Sequence, residues 1–572
     1  MAQRHTQQHS TTASYPGGHR KALLWGLFAL FVYVSILVPN VALCVTEPLD
    51  IWGILANILL PGGIYLWLMS LSRKIGKVTL WCFPLMFFAA FQLVLLYLYG
   101  RSVIASDMFL NLLTTNPEEA GEMLAGLMII VIVVAVVYGG DIAGGIVATV
   151  RHIILPDCWI RRSRIVSYTL TAAGALSLAA AYLFSPGYRI SDDLYPVNVV
   201  YNIGHAAGVA SDLSHYSTTS ADYKFNAHMA ANDSLPRLII LVIGETARAD
   251  NWQLLGYDRP TNPRLSRRDG LAAFPYVLSQ SNTTHKSVPM LMSAVDAESY
   301  SRLPQSKSII TAFKEAGYAT AVISAQKPNH SYVEFFCAEA DTTVYIADKV
   351  SGHPITDVDL LPYVHDRIAA RADRQLILVH AYGSHFDYRD RYPASMRRFT
   401  PDGPFEAKAK YRPLMLNAYD NTIVAEDFVL DSIAAMAAGE AAPAAMLYTS
   451  DHGEDLYDTP AQRFMHASPI PTAMQVHVPL IVWLSPRYRD LHPEMMQVIS
   501  SHRDSLVSSS SSYFHTALQL ADITAPLFDP TLSVADPGYS PRTPMYVTDH
   551  NVAVPLKQFL KRYHEPLPPG LK

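Results

Sequence analysis

Hydrophobic and polar positions follow two contrasting patterns along the chain. In the N-terminal part, apolar residues form long stretches without a polar face, unlike the helices that line the core of a soluble protein. Each stretch is close to the ~20 residues that an α-helix needs to cross the ~30 Å hydrocarbon core of a bilayer. The pattern therefore predicts five membrane-spanning helices, within residues 22–43, 51–71, 78–99, 123–150 and 165–185.

The charged residues between these stretches predict their orientation. The N-terminal segment and the second and fourth loops carry arginine and lysine, whereas the first and third loops are mainly acidic. Because loops rich in Lys and Arg stay on the cytoplasmic side, we expect a cytoplasmic N-terminus. Five crossings would then place everything after Ser185 on the opposite side of the membrane.

After residue 185 the pattern changes to that of a water-soluble domain. Short apolar runs of strand length alternate with helical patterns at 308–317 and 417–439, which predicts an α/β sandwich with a largely parallel sheet. The expected strands lie within residues 237–245, 318–326, 375–385, 444–455 and 478–485. We expect a connector with one or two short interfacial helices ahead of them, and a serine-rich loop at 508–512.

These patterns divide the chain into four parts. We expect a cytoplasmic N-terminus (1–21), a five-span transmembrane domain (22–185), a connector (186–235) and an exported catalytic domain (236–572). Half of the residues are hydrophobic, 16% are charged and the net charge is −5, so the composition favours a membrane protein and gives no sign of nucleic-acid binding. Of the four cysteines only Cys337 follows the predicted spans, so no disulfide is expected within the exported part.

Acidic and histidine residues follow several of the predicted strands. Glu245 ends the first strand, and the strand at 375–381 runs into His385. Asp451 and His452 follow the strand at 444–450, and His466 lies in the segment after them. Ligands of parallel α/β sheets bind at the carboxyl ends of the strands, so these side chains are expected to meet there. Carboxylate and imidazole ligands suit a catalytic Zn²⁺ or Mn²⁺.

The segment SNTTHKSVPM, residues 281–290, carries candidate nucleophiles. A hydroxyl attacks poorly at neutral pH unless a base or a metal activates it, and the two adjacent threonines, Thr283 and Thr284, are chemically alike. Pro289 favours the first turn of a helix, which predicts Ser287 as the N-cap and places Thr284 in the preceding turn.

Four segments resemble conserved blocks of the phosphoethanolamine transferases, a family of the sulfatase-like alkaline phosphatase superfamily. They are VIGETARADNWQLLGYDRPTNPRL (242–265), SNTTHKSVPM (281–290), NAYDNTIVAEDF (417–428) and YTSDHGEDL (448–456). The loop at 108–123 is similar to the family segment that precedes the fourth membrane helix. His285, Lys286 and Met290 depart from the family pattern, in which small or neutral residues and a cysteine are usual.

The resemblance implies a role for each candidate residue. It implies metal ligation by Glu245, Asp451, His452 and Thr284, with Thr284 as the nucleophile. It places a substrate phosphate or a second metal at His385 and His466, and we add Lys286 as a candidate for stabilising phosphoryl charge.

The implied enzyme is a metal-dependent transferase of a bacterial inner membrane with a periplasmic catalytic domain. It would move phosphoethanolamine from phosphatidylethanolamine to an outward-facing glycolipid such as lipid A through a phosphothreonine intermediate, using Zn²⁺, Mn²⁺ or another divalent ion. A phosphoglycerol transferase, or another phosphodiesterase or sulfatase of the superfamily, is the first alternative. A transporter or sensor with an inactive enzyme-like ectodomain is the alternative of another class.

Overall fold

The computed structural model describes residues 16–99, 103–114, 117–185, 187–230, 235–406, 408–458 and 463–571. The chain divides into two compact units. The first comprises Met1–Tyr97, Arg101–Ile104 and Leu127–Tyr201, and the second comprises Leu98–Gly100, Ala105–Gly126 and Asn202–Lys572. Most of the segment between the third and fourth predicted spans, from Ala105 onward, therefore groups with the exported part of the sequence.

The N-terminal part of the chain is helical. Its helices are α1 (Pro16–Thr46), α2 (Ile51–Met69), α3 (Ile75–Trp81), α4 (Phe83–Tyr99), α5 (Ser106–Thr114), α6 (Pro117–Val150), α7 (Asp157–Phe184), α8 (Ile190–Asp193) and α9 (Val197–Thr219). The connector was expected to hold short helices, but α9 has 23 residues.

Among the described residues, four helices are long and apolar enough to cross a membrane, and they lie within α1, α2, α6 and α7. Helices α3 and α4 are bent by 52° at a short break and make a fifth span when they are counted together. The five predicted spans agree with this set. Large apolar side chains such as Val136 and Leu176 point outward on these helices, as expected for surfaces that contact lipid.

The second unit is built on a seven-stranded sheet. The strands of this unit are β1 (His228–Met229), β2 (Arg237–Gly244), β3 (Leu271–Phe274), β4 (Val277–Leu278), β5 (Ala319–Ser324), β6 (Thr342–Tyr345), β7 (Arg374–His380), β8 (Ala444–Ser450), β9 (Asp455–Leu456), β10 (Phe464–Met465), β11 (Leu480–Leu484), β12 (Val507–Ser508), β13 (Ile523–Thr524), β14 (Met545–Val547) and β15 (Ala553–Pro555). The main sheet has the order β3-β11-β8-β2-β7-β5-β6. Strands β8, β2, β7, β5 and β6 are parallel, and β11 pairs antiparallel with both of its neighbours, β8 and β3. The predicted α/β sandwich with a largely parallel sheet is confirmed.

Helices cover both faces of this sheet. The helices that follow β4 along the chain are α10 (Thr284–Leu291), α11 (Ile309–Glu315), α12 (Tyr332–Cys337), α13 (Leu361–Ala369), α14 (Arg412–Ala438), α15 (Ala473–Val476), α16 (Pro486–Leu491), α17 (Met495–Ser501), α18 (Ser509–Leu520) and α19 (Leu556–Arg562). Strand β2 is buried along its whole length, because α14 packs on one face of the sheet and α18 on the other. A strand buried on both faces needs the continuous apolar run seen in its sequence.

Two local predictions were wrong. The serine run was expected to form a loop, but Ser509–Ser512 open helix α18, where Ser509, Ser510 and Ser512 are buried. Tertiary packing here overrides the modest helix propensity of serine. Ser287 is not an N-cap either: Thr283 holds that position, and the Ser287 hydroxyl donates within the helix to the Thr283 carbonyl at 2.9 Å.

Candidate metal centre

Glu245, Asp451 and His452 form a buried cluster at the carboxyl ends of two adjacent strands. Strands β2 and β8 are parallel and in register, with Gly244 opposite Ser450, so the residues that follow them meet. One ligand atom from each of the three side chains lies within 4.8 Å of the others. The Nε2 atom of His452 is 3.4 Å from Glu245 Oε1 and 3.2 Å from Asp451 Oδ2.

The hydrogen bonding of His452 favours a bound cation. Its Nδ1 donates to the Gly453 carbonyl at 3.0 Å, which leaves the Nε2 lone pair facing the two carboxylates. Burial alone would lower the pKa of His452, but the charges of Asp451 and Glu245 outweigh it and raise the pKa. The same field attracts a metal cation, and two carboxylates with one imidazole suit a divalent ion. The cluster is therefore a site for a divalent metal.

Neighbouring polar groups orient the two carboxylates. The Gln326 amide donates to Glu245 Oε2 at 2.9 Å, and the Thr246 hydroxyl donates to Glu245 Oε1 at 2.8 Å. The Thr246 backbone N–H also donates to Asp451 Oδ1 at 3.0 Å. Sequence reasoning missed Gln326 and Thr246. Gln326 follows the end of β5. A search for neutral polar residues after the strands, in addition to acidic residues and histidines, would therefore have identified it.

The loop after β7 holds the backbone of Glu245. Gly383 has a φ of +54°, and a Cβ atom at this position would lie 2.3 Å from the Glu245 carbonyl oxygen. The next residue, Ser384, donates its backbone N–H to that oxygen at 2.8 Å. The Asp357 carboxylate accepts from the backbone N–H groups of Tyr382 and Gly383 at 2.7 and 2.8 Å. Only glycine fits so close an approach.

Thr284 is the threonine that reaches the cluster. It is the first residue of α10, and its hydroxyl oxygen lies 3.1 Å from Glu245 Oε1 and 3.2 Å from His452 Nε2. The hydroxyl of Thr283 instead lies 3.1 Å from Ser281 Oγ. The structure thus brings Thr284 together with the three predicted metal ligands.

His385 and His466 lie beside the cluster. The rings of His466 and His452 are 4.3 Å apart between centroids, and those of His385 and His466 are 5.7 Å apart. His466 Nδ1 is 2.8 Å from Glu454 Oε2, and the other oxygen of this carboxylate, Oε1, accepts from the Tyr388 hydroxyl at 2.7 Å. Burial lowers the pKa of both histidines, so both imidazoles are neutral near pH 7.

Lys286 is not brought to the cluster. Its ammonium is 2.8 Å from the Asp107 carboxylate and donates to the Thr548 carbonyl at 2.9 Å. The residue is buried, with 2% of its surface exposed. The Lys286 ammonium therefore pairs with groups other than Glu245, Asp451 and His452.

The fold and this cluster define an α/β protein of the alkaline phosphatase and sulfatase type, preceded by apolar helices. A family model described as sulfatase matches residues 237–523, which is half of the chain. The chain therefore belongs to the sulfatase family.

Within this family the chain is similar to phosphoethanolamine transferases, as its motifs predict. It is 26% identical to the phosphoethanolamine transferase EptA of Escherichia coli strain K12 over 517 residues, which cover 85% of this chain and 88% of EptA. It is also 26% identical, over 288 residues and 49% of each protein, to the Kdo(2)-lipid A phosphoethanolamine 7''-transferase of the same strain.

Two solved structures share the fold. The integral membrane protein lipooligosaccharide phosphoethanolamine transferase A (EptA) from Neisseria meningitidis aligns with a TM-score of 0.69 at 19% identity, covering 89% of this chain and 97% of that one. The periplasmic domain of EptC from Escherichia coli, solved in complex with zinc, aligns with a TM-score of 0.53 at 23% identity, covering 60% of this chain and 98% of that one. The full-length alignment agrees with apolar helices followed by a sulfatase-like domain.

Proposed function

We propose that this protein is a membrane-bound phosphoethanolamine transferase that uses Thr284 as its nucleophile and zinc as its metal. The donor is phosphatidylethanolamine and the acceptor is an outward-facing glycolipid such as lipid A. The observation that carries the proposal is the Thr284 hydroxyl, which lies within hydrogen-bond distance of Glu245 and His452 in a buried cluster suited to a divalent ion. The names of EptA and of the Kdo(2)-lipid A transferase support the reaction and the acceptor.

The proposed reaction has two displacement steps at phosphorus. In the first, the Thr284 hydroxyl loses its proton and forms an Oγ1–P bond, while the P–O bond to diacylglycerol breaks and the leaving oxygen takes up a proton. In the second, a hydroxyl or phosphate oxygen of the glycolipid attacks the same phosphorus, and Thr284 leaves and regains its proton. A bound divalent cation would lower the pKa of the Thr284 hydroxyl and neutralise charge on the phosphoryl group.

The residues of the chain have distinct tasks in this scheme. Glu245, Asp451 and His452 would hold the metal, and the Thr284 hydroxyl lies beside the same three side chains. His385 and His466, which are buried beside it, are the candidates for the position of the substrate phosphate or of a second metal. Glu454 holds one ring nitrogen of His466 and so fixes the orientation of that ring.

The sequence pattern and the relatives support a proposed localisation. The protein is a multi-pass component of a bacterial inner membrane, with a cytoplasmic N-terminus and a periplasmic catalytic domain from about residue 236. The basic second and fourth loops support this orientation. An anchored enzyme meets both of its lipid substrates in the plane of the membrane.

The test is to trap the intermediate on the full-length protein. The purified protein is incubated in detergent micelles with phosphatidylethanolamine and no acceptor, and peptides spanning 281–293 are analysed by mass spectrometry. A phosphoethanolamine adduct on Thr284 is expected. Thr284→Ala should form no adduct while retaining bound metal, and Thr284→Ser should keep part of the activity because its hydroxyl remains.

Thr283→Ala is the matched control, since Thr283 is adjacent and buried but contacts Ser281 rather than the cluster. It should form the adduct on Thr284 at a rate close to that of the wild type. An adduct on Thr283, Ser281 or Ser287, or full turnover by Thr284→Ala, would contradict the assignment. A phosphoglycerol adduct formed only from phosphatidylglycerol would instead identify a phosphoglycerol transferase.

A further inference from the structure

The pair His285–Lys286 follows the proposed nucleophile directly and has no role in the reaction described above. Both side chains meet one carboxylate, that of Asp107 on α5, which belongs to the same compact unit. Lys286 Nζ is 2.8 Å from Asp107 Oδ2, and His285 Nε2 is 3.2 Å from Asp107 Oδ1. Two of the five spans, α6 and α7, lie between Asp107 and these residues in the sequence, so sequence spacing gave no hint of the contact.

The backbone at Asp107 is held by the Asp549 carboxylate, and the neighbouring Ser106 side chain contacts His205. The Asp549 carboxylate accepts from the backbone N–H groups of Ser106 and Asp107 at 2.6 and 2.9 Å, and it thereby fixes the start of α5. The Ser106 hydroxyl also lies 2.7 Å from His205 Nδ1. The start of α5 is thus held by backbone hydrogen bonds that do not involve His285 or Lys286.

The charge on Asp107 persists at neutral pH. Burial alone would raise its pKa, but the charges of Lys286 and His285 outweigh this and lower the pKa to about 2. Lys286 is buried, and a buried ammonium requires a partner because its desolvation is costly. Asp107 provides that charged partner, and the Thr548 carbonyl completes the contacts.

The first turn of α10 is therefore held from two sides. On one side the Thr284 hydroxyl meets Glu245 and His452, and the Ser287 hydroxyl lies 3.4 Å from Asp451. On the other side Asp107 holds the two residues in between. The position of the Thr284 oxygen depends on the backbone of this turn.

We infer that Asp107 is a positioning residue that fixes the first turn of α10 through Lys286 and His285, and so aims the Thr284 hydroxyl at the donor phosphorus. The inference rests on the proposed function. A misplacement of about 1 Å in a reacting group is worth about 100-fold in rate. Loss of the Asp107 charge should therefore slow formation of the phosphothreonine without weakening donor binding or metal binding.

The experiment measures single-turnover adduct formation on Thr284 in the full-length protein over a range of phosphatidylethanolamine concentrations. Asp107→Asn should lower the rate at saturating donor by about 10- to 100-fold, with the half-saturating concentration and the metal content unchanged. Asp107→Glu, which keeps the charge, should recover part of the rate. Asp341→Asn is the matched control, because Asp341 pairs with Lys314 at 3.0 Å on the surface of the same unit and should leave the rate unchanged.

A double variant separates positioning from simple charge balance. Asp107→Asn leaves the buried Lys286 unpaired and is expected to lower the melting temperature, whereas Asp107→Asn with Lys286→Met removes both charges and should restore it. The rate of the double variant should nevertheless stay low, because the contact that fixes the turn is still absent. A double variant that reacts at the wild-type rate would overturn the inference.

The remaining outcomes are also decisive. An adduct that forms equally fast in wild type and Asp107→Asn would overturn the role of Asp107 and leave the proposed function standing. A parallel loss of rate and bound metal in Asp107→Asn would also overturn it, since the effect would then act on the metal site. A wild-type protein that forms no adduct would overturn the proposed function and the role of Asp107 with it.

Discussion

Replacing Gln326 by leucine should weaken metal binding without touching a metal ligand. The Gln326 amide donates to Glu245 Oε2 at 2.9 Å and to the Ala381 carbonyl at 3.1 Å, so it links the Glu245 carboxylate to the end of β7. Leucine has a similar size but cannot donate. Glu245 would keep the Thr246 hydroxyl on its other oxygen, and its orientation would be only partly lost.

The magnitude follows from the kind of bond that is removed. A hydrogen bond to a charged acceptor contributes about 1.5–3 kcal/mol. Removal of a partner that orients a metal ligand typically costs about 10- to 100-fold in metal affinity. A tenfold change corresponds to about 1.4 kcal/mol, so the two ranges agree.

The assay is competition for zinc between the full-length protein and a chelator of known affinity, for wild type and Gln326→Leu. Gln519→Leu is the control, because the Gln519 amide also donates to a carboxylate, that of Asp536, at 3.1 Å. We expect Gln326→Leu to bind zinc about 10- to 100-fold more weakly and Gln519→Leu to bind it as the wild type does. Equal affinity in all three proteins, or an equal loss in both variants, would refute the reasoning.

Two further predictions concern other residues of the second unit. Burial lowers the pKa of His515 from 6.5 to about 4, so between these pH values the unfolded chain binds a proton that the folded chain does not. The free energy of unfolding should therefore fall by about 3 kcal/mol as the pH is lowered through this window. The measurement is the denaturant midpoint as a function of pH, and His515→Gln should reduce its slope. An unchanged slope in His515→Gln would contradict this. Burial also raises the pKa of the Cys337 thiol to about 12, so iodoacetamide at pH 8 should label the exposed Cys158 in the native protein and Cys337 only after unfolding. Labelling of both thiols at the same rate in the native protein would count against the buried position of Cys337.

The sequence by itself determined the spans, five of the seven strands of the main sheet and the three residues of the buried cluster. Membrane helices and strands buried on both faces leave long or continuous apolar runs that local pattern identifies. Glu245, Asp451 and His452 were identifiable because each directly follows a strand, and parallel neighbours carry the residues after them to one edge. For these residues, position along the chain already implies position in space.

Only the tertiary structure decided the contacts between distant segments. Asp107 and Lys286 form an ion pair, and Gln326 meets Glu245, through contacts that no local spacing encodes. The same holds for the buried serines of α18, where packing on the sheet outweighs an unfavourable helix propensity. Sequence pattern reports which face of an element is buried, whereas the partner on that face depends on how the whole chain packs. The choice of Thr284 over Thr283 depends on both, because motif resemblance favours Thr284 and the start of α10 brings its hydroxyl to the cluster.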